Sequence, residues 1–135
     1  MNKILKKILL IDDNEADNFL HELIIKKSGI TESVIAMTSA TDALEYLKSK
    51  QGNNHPQPCL IFLDINMPRM NGWEFLEEYE SLPSEQKAKV VIVMLTTSLN
   101  PDDKEKSNSI DHITEFYTKP LTQAILDRII KQYFL

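Results

Sequence analysis

Five polar residues stand where short apolar runs of the chain end. Asp12 and Asp13 follow KILLI, Asp64 follows CLIFL, Thr96 follows KVVIVML, and Lys119 follows EFYT. Three carboxylates gathered in one place repel one another unless a divalent cation neutralises them, and oxygen ligands suit Mg²⁺. A hydroxyl and an ammonium beside such a cation would donate to a bound anion. If the five converge, their chemistry indicates phosphoryl transfer onto an aspartate.

Each of these residues also has a simpler interpretation. The two adjacent aspartates could cap a helix that begins near Asn14, which is a common use of aspartate. Asp64 could be a turn residue, Thr96 a strand-end hydroxyl, and Lys119 a solvated charge. A buried carboxylate is costly unless something compensates it, so the occurrence of all five at run ends favours a shared site.

Short apolar runs alternate with segments whose apolar residues recur at helical spacing. Continuous rather than alternating apolar runs are typical of parallel strands covered on both faces, and the alternation predicts a five-stranded α/β fold. In such a sheet, ligands bind beyond the carboxyl ends of the strands, where the five polar residues would meet. The predicted strands are KILLI (7–11), SVIAM (33–37), CLIFL (59–63), KVVIVML (89–95) and EFYT (115–118).

Four apolar faces mark the predicted helices. They are Phe19, Leu20, Leu23 and Ile24; Ala40, Ala43, Leu44 and Leu47; Phe75, Leu76 and Tyr79; and Ile125, Leu126, Ile129 and Ile130. A fifth helix over PDDKEKSNSI has a thin apolar stripe, which predicts low local stability.

Glycine, asparagine and proline at the predicted helix ends support these boundaries. Gly29 after two lysines indicates a helix end, and Asn100 followed by Pro101 indicates a helix start. The polar stretch 48–58 is predicted to be a long surface loop. Gly72 is predicted to supply a backbone conformation that other residues resist.

Composition limits the class of protein. The 135 residues suit one domain, and the net charge of -5 provides no basic field for nucleic acid or an anionic membrane. No apolar stretch approaches the roughly 20 residues of a membrane span, and the N-terminus lacks a signal-peptide pattern, so a cytoplasmic location is predicted. The lone Cys59 cannot form an internal disulfide and is interpreted as a buried structural thiol.

Four motifs, in order, together resemble one known family. They are IDDN (11–14), LDINMPRMNG (63–72), LTTS (95–98) and YTKP (117–120), and they resemble the receiver domain of two-component response regulators over essentially the whole chain. The resemblance implies a flavodoxin-like, doubly wound parallel sheet of order 2-1-3-4-5 with five helices. It also implies a single receiver domain over 1–135 without an output domain. The 48–58 loop and LTTSLNPDD resemble the phytochrome-associated, single-domain type.

The resemblance assigns roles at the acidic cluster. Asp64 matches the phosphoacceptor, which receives its phosphoryl group from a sensor histidine kinase or a histidine phosphotransfer protein. Asp13 matches the direct acidic ligand of Mg²⁺, and Asp12 matches the neighbour that acts through water. Asn66 matches the position whose backbone carbonyl binds the metal.

Further roles follow for the other two motifs. Thr96 matches the hydroxyl that contacts the phosphoryl oxygens and moves on phosphorylation, and Lys119 matches the ammonium on the other side. The Lys119–Pro120 bond matches a peptide that is typically cis in this family, and Phe116 occupies the aromatic switch position.

Three residues depart from the family's usual pattern. Phe116 stands where tyrosine is frequent, so its rotation would be governed by packing without a hydroxyl partner. Thr97 is bulkier than the usual alanine or glycine and would narrow access to the phosphoryl site. Glu115 stands where glycine often precedes the aromatic residue.

The same resemblance implies how the signal leaves the domain. Phosphorylation would change the surface of helix 4, strand 5 and helix 5, which would contact an unknown downstream protein or form a homodimer. The last helix, LTQAILDRIIKQYFL, is apolar on more than one face. Core burial is the favoured explanation of that pattern, ahead of a docking or dimer face. Neither nucleic acid nor a membrane is an expected partner.

Other functional classes remain as alternatives. A hydrolase of the haloacid-dehalogenase type also uses Asp, Thr or Ser, Lys and Mg²⁺, but it needs a second acid two residues beyond the nucleophile, where this chain has Asn66, and a cap domain. A pseudo-receiver would lack some of the key residues. A flavin-binding relative would need a Ser/Thr-Gly phosphate loop after the first strand. The favoured hypothesis is a signalling phosphoacceptor that is not an enzyme beyond its own phosphorylation and dephosphorylation.

Overall fold

The computed structural model describes residues 5–50, 52–87, 91–97, 101–108 and 115–134. Five strands alternate with five α-helices, and a short 3₁₀ helix, Ser84–Gln86, precedes the fourth strand. The strands are β1 Leu5–Ile11, β2 Thr31–Met37, β3 Leu60–Leu63, β4 Val91–Thr96 and β5 Glu115–Thr118. The helices are α1 Glu15–Ser28, α2 Ala40–Lys48, α3 Gly72–Glu80, α4 Pro101–Asn108 and α5 Gln123–Tyr133.

All neighbouring strands pair in parallel, in the order β2-β1-β3-β4-β5. This arrangement confirms the predicted doubly wound sheet. In the register, Ile11 at the end of β1 lies opposite Leu63 at the end of β3, and Thr96 ends β4 opposite Thr118 of β5. The residues that follow β1, β3 and β5 therefore emerge at one edge, together with Thr96.

Side-chain alternation along the strands divides the core into two clusters. Leu9, Ile11 and Ile61 pack in the cluster that also holds the buried faces of α2 and α3. Ile8 and Leu10 pack in the other cluster, with α1 and α5 residues. The predicted faces of α2 and α3 are confirmed as buried, and so is that of α5 except for Ile125, which is partly buried.

The predicted core face of α1 is wrong for three of its four residues, whereas Ile24 is partly buried and packs on the core. Phe19, Leu20 and Leu23 are 60%, 51% and 49% exposed, and the buried residues of this helix are Asn18, His21, Ile25 and Ser28. Polar side chains can face a core when their hydrogen bonds are made internally, and those of α1 reach backbone groups. Phe19, Leu20 and Leu23 therefore form an apolar group on the solvent-facing side of the helix.

The ends of the helices can be compared with the predicted caps. Gly29 ends α1 in the left-handed region, with φ 71°, as predicted. Asn14 is the N-cap of α1, and its side chain accepts from the backbone N–H of Asp17, so the two preceding aspartates are free of that capping role. The predicted cap Asn100 lies outside the described residues. Cys59 is half-buried rather than buried.

None of the described helices has the length and apolar content that crossing a bilayer requires.

Candidate functional site

Three carboxylates meet where β1 and β3 end. Carboxylate oxygens of Asp12, Asp13 and Asp64 lie within 4.8 Å of one another. Asp12 and Asp64 are 4% and 5% exposed, whereas Asp13 faces solvent. Oxygen ligands about 2.1 Å from one Mg²⁺ are at most about 4.2 Å apart, so small side-chain shifts would let all three reach the same ion. The donor set is purely oxygen, and it fits a hard divalent cation with access from the Asp13 side.

Lys119 joins this cluster from the end of β5. Its Nζ lies 2.5 Å from Asp12 Oδ2, 2.9 Å from Asp17 Oδ2 and 3.5 Å from Asp64 Oδ2, and its side chain is 7% exposed. Burial opposes the charge of this ammonium, but the hydrogen bonds to Asp12 and Asp17 and the charge of Asp64 outweigh burial and raise its pKa. Lys119 is therefore a permanent cation at neutral pH.

Asp64 is held by contacts on both of its oxygens. The backbone N–H of Ile65 donates to Oδ1 over 2.8 Å, and Oδ2 faces Lys119. Burial, followed by the charge of Asp12, raises the pKa of the Asp64 carboxyl, while Lys119 and hydrogen bonds from Thr96 and Ile65 oppose that rise. A carboxylate that is destabilised in this way gains from any cation bound beside it.

Thr96 connects Asp64 to Lys119. Its fully buried side chain hydrogen-bonds Asp64, and its backbone carbonyl accepts from the backbone N–H of Lys119 over 2.8 Å. The parallel pairing of β4 with β5 places Thr96 beside Thr118, one residue before the lysine. The sheet itself therefore positions the hydroxyl and the ammonium on neighbouring strands.

Gly72 closes the loop that follows Asp64, for a different reason than predicted. Its φ lies outside the left-handed region, so no unusual backbone conformation requires glycine there. Instead, an added Cβ would lie 2.5 Å from the backbone oxygen of Asp64 and 2.9 Å from the Cα of Ile65. The Gly72 N–H also donates to the Ile65 carbonyl over 2.8 Å, which draws the start of α3 against the site.

The remaining predicted site residues lie around this centre. The Lys119–Pro120 bond is cis, in agreement with the resemblance. Asn66 is exposed in the loop after Asp64, and Thr97 is exposed directly after β4. Phe116 is partly buried on β5 and packs against the core cluster beneath α2 and α3.

The sequence interpretation missed the residues of α1 that contact the site. Asp17 pairs with Lys119. Asn18 donates to the Asp12 carbonyl over 2.8 Å, and the ring Nε2 of His21 accepts from the backbone N–H of Leu121 over 3.3 Å. Asp17 and His21 are four residues apart within α1, which places them on one side of that helix, but this spacing alone does not indicate which segment they contact.

Together these residues provide the parts for phosphoryl transfer. The buried carboxylate of Asp64 belongs to an acidic cluster that fits a divalent cation, and a permanent ammonium and a hydroxyl lie beside it. Asp64 could act as a nucleophile. The ammonium, the hydroxyl and a cation held by the acids could stabilise charge on phosphoryl oxygens.

Known proteins with similar sequences include response regulators and regulatory proteins. The response regulator receiver domain family matches residues 8–131. The chain is 31% identical over 131 residues to the probable methanogenesis regulatory protein FilR2 of Methanothrix harundinacea, covering 95% of this chain and 83% of that protein. It is 36% identical over 115 residues to the response regulator Rcp1 of Synechocystis, covering 84% and 76%.

Solved structures agree with the sequence relatives. A two-component response regulator from Cytophaga hutchinsonii superposes with a TM-score of 0.80 at 28% identity, covering 97% of each chain. The phosphorylated cyanobacterial phytochrome response regulator RcpA gives 0.73 at 33% identity, covering 94% and 89%. The Mn²⁺-bound form of Rcp1 gives 0.70 at 32% identity, covering 94% and 90%.

The family match spans nearly the whole chain, and the fold and the cluster of acids at the sheet edge agree with it. The chain therefore belongs to the response regulator receiver domain family, the phosphoacceptor proteins of two-component signalling.

Proposed function

We propose that this protein accepts a phosphoryl group on Asp64 from a sensor histidine kinase or a histidine phosphotransfer protein. The observation that carries the proposal is the position of Asp64, which is buried in the acidic cluster with the Lys119 ammonium 3.5 Å from its carboxylate. Two relatives support the proposal, because the structure of RcpA is of a phosphorylated form and that of Rcp1 is of a Mn²⁺-bound form.

The transfer step requires little covalent work from the protein. An oxygen of Asp64 attacks phosphorus and forms an O–P bond, while the N–P bond to the donor histidine breaks and its electron pair stays on the imidazole. With acetyl phosphate as donor, the O–P bond to acetate breaks instead. Lys119 and the Thr96 hydroxyl donate to the phosphoryl oxygens and stabilise their charge. Attack by water on phosphorus later returns the carboxylate and releases inorganic phosphate.

We propose Mg²⁺ as the physiological cation, held by Asp12, Asp13 and Asp64 with the carbonyl of Asn66. A bound divalent ion supplies positive charge to the phosphoryl oxygens and offsets the repulsion between the carboxylates. The oxygen-only donors and the solvent-facing Asp13 support an ion that keeps several waters.

Replacing Asp13 with Asn should weaken Mg²⁺ binding by roughly tenfold or more, because the cluster loses one charge and one strong oxygen ligand. Titration of the intrinsic fluorescence of the single tryptophan, Trp73, one residue beyond Gly72, measures that affinity. Acetyl phosphate should add one phosphoryl group to the wild type in the presence of Mg²⁺, as seen by intact-protein mass spectrometry. Equal Mg²⁺ affinity in the two proteins would remove Asp13 from the proposed ligands.

A hydrolase of the haloacid-dehalogenase type is a poorer fit to this site. The position two residues beyond Asp64 is Asn66, whose amide cannot protonate a leaving group. We therefore propose that phosphorylation and dephosphorylation of its own Asp64 are the only reactions it promotes. Sustained turnover of a phosphate monoester by the purified protein would contradict this.

The phosphodonor must approach closely, since Asp64 is 5% exposed. We propose that the donor contacts α1, whose first turn borders the site through Asp17 and whose outer surface presents Phe19, Leu20 and Leu23. Exposed apolar side chains grouped on one helix are typical of a protein-binding surface. A donor helix lying along them would bring its phosphohistidine to the carboxylates.

Replacing both Leu20 and Leu23 with serine should slow transfer from a phosphohistidine donor by about tenfold, as loss of central interface residues does. The donor is any phosphotransfer protein or kinase domain that phosphorylates the wild type, and the assay follows loss of its label. Acetyl phosphate, which needs no protein surface, should modify both forms at the same rate. Equal slowing with both donors would indicate damage to the site instead of a lost contact.

We further propose that output uses α4, β5 and α5, as the resemblance implies, toward a downstream protein or a second copy. Phe116 on β5 packs inward, and Lys106 of α4 lies over the ring of Trp73 at 5.0 Å, so both elements contact parts of the core or the site's loop. The apolar faces of α5 are largely explained by burial, because Tyr133 and Phe134 also pack on the core. The mass of the protein in sedimentation experiments with and without beryllofluoride tests whether the homodimer forms.

We propose a cytoplasmic location, which fits the acidic composition.

A further inference from the structure

The ammonium of Lys119 is shared among three carboxylates before any phosphoryl group arrives. It lies 2.5 Å from Asp12, 2.9 Å from Asp17 and 3.5 Å from Asp64, so the contact with Asp17 of α1 is shorter than the contact with the phosphoacceptor. Asp17 lies outside the cluster of acids that could hold a metal ion among the described residues. Its carboxylate therefore acts on the lysine without belonging to the metal site.

A second contact from α1 holds the same segment of chain. His21, which is 3% exposed, accepts at Nε2 from the backbone N–H of Leu121, two residues after the lysine. Asp17 and His21 are four residues apart and lie on one side of the helix. Together they attach the connection between β5 and α5 to α1, across about a hundred residues of sequence.

We propose that Asp17 is a positioning residue, which holds Lys119 in the unmodified protein and competes with the phosphoryl oxygens for its ammonium. The inference rests on the proposed function of Asp64 and Lys119. An ammonium has only three N–H donors. When the anion binds, at least one N–H of Lys119 that donated to Asp17 must donate to a phosphoryl oxygen instead. The charge of Asp17 thus opposes retention of the phosphoryl group.

The test uses beryllofluoride, a non-covalent phosphoryl analogue, at saturating Mg²⁺ so that differences in metal affinity do not contribute. Asp17→Asn keeps the shape of the side chain and removes its charge. It should bind beryllofluoride roughly threefold to tenfold more tightly than the wild type, the range expected for loss of one partly exposed ion pair that competes for the lysine. Trp73 fluorescence gives the affinity, and thermal melting establishes that the variant is folded.

Two further variants separate positioning from other effects. Glu22→Gln removes the same charge from the same helix, but Glu22 pairs with Lys26 rather than with the site, so its beryllofluoride affinity should equal that of the wild type. In a Lys119→Gln background, Asp17→Asn should give no tighter binding, because the lysine through which Asp17 acts is missing. A gain that persisted without Lys119 would show plain repulsion between Asp17 and the anion and would overturn the positioning role.

The outcomes distinguish this inference from the function on which it rests. If the wild type binds beryllofluoride and Asp17→Asn binds it equally or more weakly, Asp17 has no such role and the proposed function stands. If the wild type itself binds none at saturating Mg²⁺, the proposed function fails and the role of Asp17 fails with it.

Discussion

Replacing Asp64 with Asn should abolish phosphorylation by acetyl phosphate, lowering the rate by roughly a thousandfold or more, as removal of a nucleophile does. The asparagine amide keeps the size of the side chain and its acceptor for the Ile65 N–H, but it cannot attack phosphorus. Intact-protein mass spectrometry in Mg²⁺ measures the result. A mass increase that persisted in the variant would place the acceptor on another residue, such as Asp12 or Asp13.

The same substitution should stabilise the metal-free protein, by about 1 kcal/mol. Burial and the charge of Asp12 raise the pKa of the Asp64 carboxyl, so the fold holds its charged form less favourably than water does. A neutral amide removes that repulsion, although it weakens the contact with Lys119. Asp127→Asn on the exposed surface of α5 is the matched control, and it should change neither phosphorylation nor the melting temperature appreciably.

The strand ends were predictable because burial leaves a plain pattern in the sequence. A strand covered on both faces is a continuous apolar run, and a parallel sheet brings the ends of such runs to one edge. Asp12, Asp64 and Lys119 could thus be placed together without coordinates, and the structure brings them within ion-pair distance. The family resemblance was needed for the finer roles.

Helix α1 was not predictable in the same way. Periodicity identifies an apolar stripe, but it does not say whether that stripe meets the core or a partner. In α1 the polar stripe faces inward, since Asn18 and His21 find backbone partners at the ends of other elements. Those partners are Asp12 and Leu121, and the second lies a hundred residues away. The sequence contains no local signal of that pairing, so Asp17 was missed as well.

Gly72 shows a similar limit of local reasoning. Glycine was expected for its freedom of backbone conformation, yet the structure requires it for close approach. The start of α3 lies so near the Asp64–Ile65 peptide that a methyl group has no space. The residue is determined by a contact between two segments, which a turn pattern alone does not reveal.

Replacing Gly72 with Ala should destabilise the protein by about 3 kcal/mol, at the upper end of the usual cost of overpacking. The new Cβ would lie 2.5 Å from the Asp64 backbone oxygen, which cannot rotate away as a flexible side chain could. The chain must shift either α3 or the end of β3, and the second shift moves the Asp64 carboxyl relative to Lys119. Urea unfolding measures the stability, and the acetyl phosphate reaction should slow in the same variant.

Gly52→Ala separates steric conflict from backbone strain. Gly52 has φ +68°, and an added Cβ there meets nothing within 4 Å among the described residues, so strain alone should cost about 1 kcal/mol. Gly52 lies in the loop after α2, and its substitution should leave phosphorylation unchanged. If Gly72→Ala were no more costly than Gly52→Ala and reacted at the wild-type rate, the close approach of α3 would have no part in positioning Asp64. A larger cost coupled to a slower reaction would show that the same contact serves the fold and the phosphoacceptor.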